Sequence, residues 1–345
     1  MINKIFVFFV LLLSCNHLYG KTPHQYYLSA YDKIVKMLSS NQLDFQEAVF
    51  LTENAYFENQ YDREVFKGAI SFYAAMSKHI IASGEIIYPE TDKEKANAQC
   101  AVFLLMTDTI PIETHADILI HIPFSYNHED FAGQKDWSNM FVSTLMNTNK
   151  GNCHSLPYLY KMIMNELGQQ SHLALAPNHI YIKVSNKRVG WYNIELTCGD
   201  FPTDAWLMAS GYIHTDAIRN GIYMAALDDK QSVCLTLIDL AQGYQAKFGV
   251  EDGSFIIRCC DTALRYFPNY INALLLKAET LTALYKEEKD EETKTDLLGQ
   301  MSELYTNIHN LGYRKMPNGM YENWLKSLND GETNKRAKSI IVGQR

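Results

Sequence analysis

Three residues in the middle of the chain have the types and spacing to make a thiol nucleophile: Cys153, His179 and Glu195. Gly151, Asn152 and Cys153 open a stretch, residues 153 to 167, in which Leu156, Leu159, Tyr160, Ile163, Met164 and Leu167 share one face at helical spacing. Gly168 follows as a natural stop, and Pro157 lies near enough to the first turn that its missing N–H costs little. A cysteine at a helix start meets unpaired backbone N–H groups and the positive end of the helix dipole, and both favour the thiolate. The same N–H groups would stabilise an oxyanion at the attacked carbonyl, and Gly151 would let a substrate approach closely. The competing reading is an inert cysteine that only fills space.

Three strand-like runs follow, at 172–176, 179–184 and 191–197, the last two alternating in polarity. A three-residue hairpin loop of Asn186, Lys187 and Arg188, closed by Ser185 opposite Val189, sets a register. In it His179 faces Glu195, Tyr181 faces Asn193 and Lys183 faces Trp191, while Ile180, Ile182, Val184, Tyr192, Ile194 and Leu196 line the other, core-facing side. A one-residue slip would put His179 and Glu195 on opposite faces. The chemistry follows from the types: Cys153 attacks an acyl carbon, and His179 takes the thiol proton and returns it to the leaving group. Glu195 accepts the other imidazole N–H and fixes the tautomer. Against this stands a buried His–Glu pair that merely supports a hairpin.

Gly151-Asn152-Cys153-His154-Ser155-Leu156, the Asn178-His179 strand start and Trp191-Tyr192-Asn193-Ile194-Glu195-Leu196-Thr197 resemble the three sequence blocks of the transglutaminase-like superfamily. The third block of that superfamily usually carries Asp where this chain has Glu195. Phe124 to Phe131, then Trp137-Ser138-Asn139, is similar to a bacterial subgroup with a helical N-terminal segment and a tetratricopeptide-like tail. The resemblance implies an α+β fold: a transglutaminase-like (papain-like) core of a helix packed on an antiparallel sheet, with a helical N-terminal segment and a helical-repeat C-terminal appendage. It implies a thiol hydrolase or acyl transferase acting on amide or peptide bonds of a peptide or protein, with no cofactor. Some members of the subgroup lack the cysteine, which keeps open a catalytically inactive envelope scaffold that binds protein partners on its C-terminal helices.

The elements around the triad divide the chain into residues 1–20, 21–110, 111–217, 218–330 and 331–345. Lys4, the apolar run from Ile5 to Leu13 and the exit at Ser14 and Cys15 read as an export signal, too short for a mature membrane span. Either Cys15 is lipidated after a lipobox-like Leu12-Leu13-Ser14, the one membrane contact expected, or cleavage after Gly20 releases a soluble periplasmic or secreted protein. From Tyr27 to Leu38 and from Ala48 to Phe57 apolar residues recur at helical spacing, with Asp44 as N-cap. Residues 263–273 look like a tetratricopeptide helix-pair boundary, and residues beyond Asp330 form a polar tail.

A net charge of −8 with no dense basic run argues against nucleic acid as partner. Seven cysteines without a CxxC pair argue against a zinc ribbon. His115, His121 and His128 lie among Glu113, Asp117, Glu129 and Asp130, but match no strong ligand spacing, so no metal is expected. Asn127 and Gln134 are candidate side-chain oxyanion donors, and His154 reads as an ordinary polar residue pointing away from the nucleophile.

Overall fold

Pro23 stands at the first position of a helix, where its missing N–H is no loss, and the Gln25 side chain reaches back to accept from the Thr22 N–H at 3.1 Å. From there α1 (Pro23–Ser40) buries Tyr27, Ala30, Ile34 and Leu38, and it ends where Asn41 turns left-handed. Asp44 caps α2 (Phe45–Tyr56) by accepting from Glu47 N at 2.9 Å, and Asp62 caps α3 (Arg63–Ala82) in the same way. α4 is Lys93–Thr107. The computed structural model describes residues 22–113, 118–317 and 319–320. The expected export signal at 1–20 and the expected polar tail at 331–345 lie outside the described residues.

β1 (Ile110–Glu113) and β2 (Ile118–His121) form an antiparallel pair. β3 (Ser125–Tyr126) runs parallel to β4 (Lys150–Gly151), with a 3-10 turn at Trp137–Met140 and α5 (Val142–Thr148) between them. Then come α6 (Ser155–Glu166) and an antiparallel sheet of β5 (His172–Ala176), β6 (His179–Asn186) and β7 (Gly190–Ile194). The chain closes with α7 (Asp204–Ser210), α8 (Thr215–Arg219), α9 (Asp229–Phe248), α10 (Ser254–Tyr266), α11 (Ile271–Glu287) and α12 (Glu291–Asn310).

The expected α+β architecture, a transglutaminase-like (papain-like) core of a helix on an antiparallel sheet, is overturned. The described residues are mostly helical, in twelve α-helices, and the sheets have only two, two and three strands. Alternating polarity in the runs at 179–184 and 191–197 specifies a local hairpin, but it carries no information about how wide a sheet becomes. What organises the core is α9, which buries residues around most of its circumference, from Ser232 through Leu235, Ile238 and Ala241 to Tyr244. α2 and α1 from the N-terminal half pack on it, as does α10, so one apolar core runs from Tyr27 to Ile308.

The small sheet is covered along its β5 edge and held at one end of β6. Met224 N and Leu227 N donate to the carbonyls of Leu175 and Leu173 along the free side of β5. On the far end of β6, Lys95 and Gln99 of α4 hold Ser185 through its hydroxyl and carbonyl. The β6–β7 hairpin pairs Lys183 with Asn193, Ser185 with Trp191 and Asn186 with Gly190. That register lies two residues away from the one expected. The Asn186 side chain accepts from Arg188 N (3.1 Å) and Val189 N (3.0 Å), and Gly190 takes a φ of +74°, so the loop closes on Asn186 and Gly190. A slip of two preserves the faces, and His179, Tyr181, Asn193 and Glu195 still share one side.

Candidate active site

Asn152 builds the start of α6. Its Oδ1 accepts from His154 N (3.0 Å), Ser155 N (2.9 Å) and Ser155 Oγ (3.1 Å), and its carbonyl accepts from Leu156 N at 3.1 Å. It therefore acts as the N-cap, and Cys153 is the first residue of the helical turn. The Asn152 amide donates in turn to the carbonyl of Phe131 (2.9 Å), and the residue is fully buried. Pro157 has no N–H for the Cys153 carbonyl four residues back, which loosens the turn, and regular helix begins at Ser155.

Two expectations about this turn change. Asn152 already occupies the N–H groups of His154 and Ser155, so the N–H of Cys153 itself is the first-turn donor that the cap leaves. Gly151 is buried, and a Cβ there would lie 2.7 Å from Leu145 Cδ1 and 2.9 Å from Ser155 Oγ. Its smallness serves packing of α6 on α5, not access for a substrate.

Cys153 is half-buried, with Sγ 3.8 Å from the carbonyl oxygen of Asn178. Asn178, at φ +54°, makes the tight turn between β5 and β6 that delivers His179 beside the sulfur. Nε2 of His179 lies 2.5 Å from Oε2 of Glu195, and the two side chains are 1% and 2% exposed. Continuing the observed register one step makes Tyr181, not His179, level with Glu195. His179 and Glu195 meet across the diagonal, which the longer glutamate side chain spans. Oε1 of Glu195 is held by Thr197 through its N–H (3.0 Å) and its hydroxyl (2.7 Å).

Burial alone would strip the proton from His179. The Glu195 charge and the hydrogen bonds with Cys153 and Glu195 together outweigh it, and the imidazole is pushed up to about 10. Burial likewise works against the Glu195 carboxylate, but the His179 charge and the Thr197 donors hold it below its ordinary range. The buried pair is an imidazolium and a carboxylate, with the cation against the sulfur.

The other candidates serve structure. Asn127 Oδ1 accepts from Glu129 N and Asp130 N in its own turn, and Gln134 is exposed. His121 Nε2 bonds the Leu105 carbonyl at 2.7 Å, and His128 packs edge-on to Tyr126. His115 and Asp117 lie outside the described residues. His154, read as an ordinary polar residue, is half-buried and lies against Asp239 of α9 at 2.9 Å. Asp239 lies 85 residues from it with no motif to mark it, whereas the Asn152–Ser155 spacing ahead of an apolar run is a capping signal that could have been read.

No family model matches this chain, and no curated protein matches it. Among solved structures, it is similar to the crystal structure of menin, which reveals the binding site for Mixed Lineage Leukemia (MLL) protein. That match has 12% identity and a TM-score of 0.33, and covers 91% of this chain and 79% of that one. A likeness at that score carries no argument about fold or function.

Proposed function

We propose that this chain is a thiol enzyme that acts on amide or peptide bonds, with Cys153 as nucleophile, His179 as proton carrier and Glu195 as its anchor. The observation that carries the reading is the buried His179–Glu195 pair at 2.5 Å beside a half-buried Cys153. A positive imidazole next to Sγ stabilises negative charge on the sulfur. The thiolate attacks the acyl carbon and forms a C–S bond, and the Cys153 N–H is placed to donate to the oxyanion that develops. As the C–N bond breaks, His179 gives its proton to the departing amine. Water or a second amine then attacks the thioester, His179 takes the proton from it, the C–S bond breaks, and the thiolate and imidazolium are restored. Water makes the enzyme a hydrolase, and an amine makes it an acyl transferase. The three motif blocks that resemble the transglutaminase-like superfamily support the same chemistry through the site residues.

The charged start and apolar run at 1–20 support export to the periplasm or cell surface, where peptides and proteins are the substrates at hand. The test is trapping of the acyl intermediate. A small activated acyl ester should acylate the Cys153 peptide, neutral hydroxylamine should remove the adduct, and Cys153→Ser should lack it. Acylation of other cysteines with Cys153 untouched would overturn the reading.

A second reading, a scaffold for protein partners, is favoured by Leu298 and Tyr305, which stand exposed on α12 at 52% and 44%. An inert Cys153 together with a partner captured through Leu298 and Tyr305 would support it.

A further inference from the structure

A second histidine–carboxylate pair stands beside Cys153, outside the triad. His154 Nδ1 lies 3.0 Å from the carbonyl oxygen of Met140, and Nε2 lies 2.9 Å from Oδ1 of Asp239. A main-chain carbonyl only accepts, so Nδ1 carries a proton. The Asp239 carboxylate already accepts the Tyr158 hydroxyl on Oδ2 at 2.9 Å, and on Oδ1 it takes the Nε2 proton. A ring that donates from both nitrogens is an imidazolium.

The groups facing that ring come from four elements. Asp239 is on α9 and Glu53 on α2; Tyr158 lies one turn along α6, with its ring 4.1 Å from the imidazole; Met140 offers its carbonyl from the 3-10 turn; and Cys153 is the adjoining residue. Burial opposes the charge on His154, but Asp239, the Met140 carbonyl and Cys153 together outweigh it and raise the imidazole above its ordinary range. Cys153 therefore sits between two histidine–carboxylate pairs, a buried one on the hairpin and a half-buried one tying α6 to α9.

We propose that His154, anchored by Asp239, is a positioning residue for Cys153: it pins the first turn of α6 and supplies a second fixed positive charge next to the sulfur. The proposal rests on the reading of Cys153 as the nucleophile. The charge favours the thiolate, and the two-point tether keeps Sγ at the His179 ring.

The test is the rate of Cys153 alkylation by iodoacetamide against pH in the full chain, read on the Cys153 peptide by mass spectrometry. Asp239→Asn and His154→Gln should move the half-maximal pH upward and slow the reaction at pH 6 by roughly three- to tenfold, with the alkaline plateau kept. Folded variants whose profiles overlay the wild type would overturn the proposal. A wild-type profile no different from that of the unfolded chain would instead remove the nucleophile reading beneath it. If Asp239→Asn does not fold, His154→Gln keeps the Tyr158–Asp239 bond and carries the test. Nitrogen chemical shifts of His154 in the wild type read its charge directly: an imidazolium at pH 7 is expected, and a neutral ring would overturn the proposal.

Discussion

His179 and Glu195 meet on the diagonal of the β6–β7 hairpin, with Nε2 2.5 Å from Oε2, although the ladder pairs Lys183 with Asn193 and carries Tyr181 level with Glu195. The diagonal explains why the acid is a glutamate. A carboxylate one methylene shorter would stop about 1.5 Å short of the ring.

Glu195→Asp should therefore behave like a loss of the acid, though it keeps the charge. Alkylation of Cys153 at pH 6 should fall about tenfold, and denaturant unfolding should report a loss of about 1–3 kcal/mol for a buried imidazole left without its partner. Unchanged alkylation in Glu195→Asp would mean that the diagonal reach is not what the site requires.

Asn152 makes its cap and its anchor with one side chain. Asn152→Ala should cost about 1–2 kcal/mol in thermal or denaturant unfolding. Asn152→Asp keeps the cap oxygen but turns an acceptor toward the carbonyl of Phe131, and it should be the more damaging of the two. If the two variants rank the other way, the amide's bond to Phe131 is of little weight.

Glu53 is fully enclosed, and burial pushes its carboxyl up to about 7 in spite of the Val142 and Ser143 N–H groups it accepts at the start of α5. A folded value above the ordinary 4.5 means that the fold binds the proton more tightly than the unfolded chain does. The resulting stability, about 3 kcal/mol, is complete below pH 4.5 and is lost as pH rises through about 7. Denaturant titrations at pH 5 and pH 8 should show this fall in the wild type and not in Glu53→Gln.

His179 works on the alkaline side. Its folded value near 10 exceeds the ordinary 6.5, so its contribution is complete below pH 6.5 and disappears as pH rises through about 10. Glu195, held low, contributes above its ordinary 4.5 and loses that contribution as pH falls. His179→Gln should flatten the alkaline limb of the stability profile; a limb unchanged in that variant would place the titration elsewhere.

Much of the local structure was legible in the residues. The Tyr27-Ala30-Ile34-Leu38 stripe and the Asp44 cap are where their spacing put them, because helix periodicity and capping are set within a few residues. The hairpin face carrying His179 and Glu195 was legible for the same reason. Its register was not, because the choice between loops depended on the Asn186 amide and on the left-handed Gly190. The fold class was misread because it rested on the resemblance of three short blocks, and two alternating runs reveal only a hairpin, whereas the burial of α9 depends on helices far away in sequence. Asp239 was invisible as a partner of His154, since no local pattern connects α6 to α9.

The most direct measurement is the alkylation rate of Cys153 at pH 6 in the folded chain and in the same chain unfolded in urea. An imidazolium fixed by Glu195 beside Sγ predicts that the folded protein reacts at least about tenfold faster. A folded rate equal to or below the unfolded one would contradict the account.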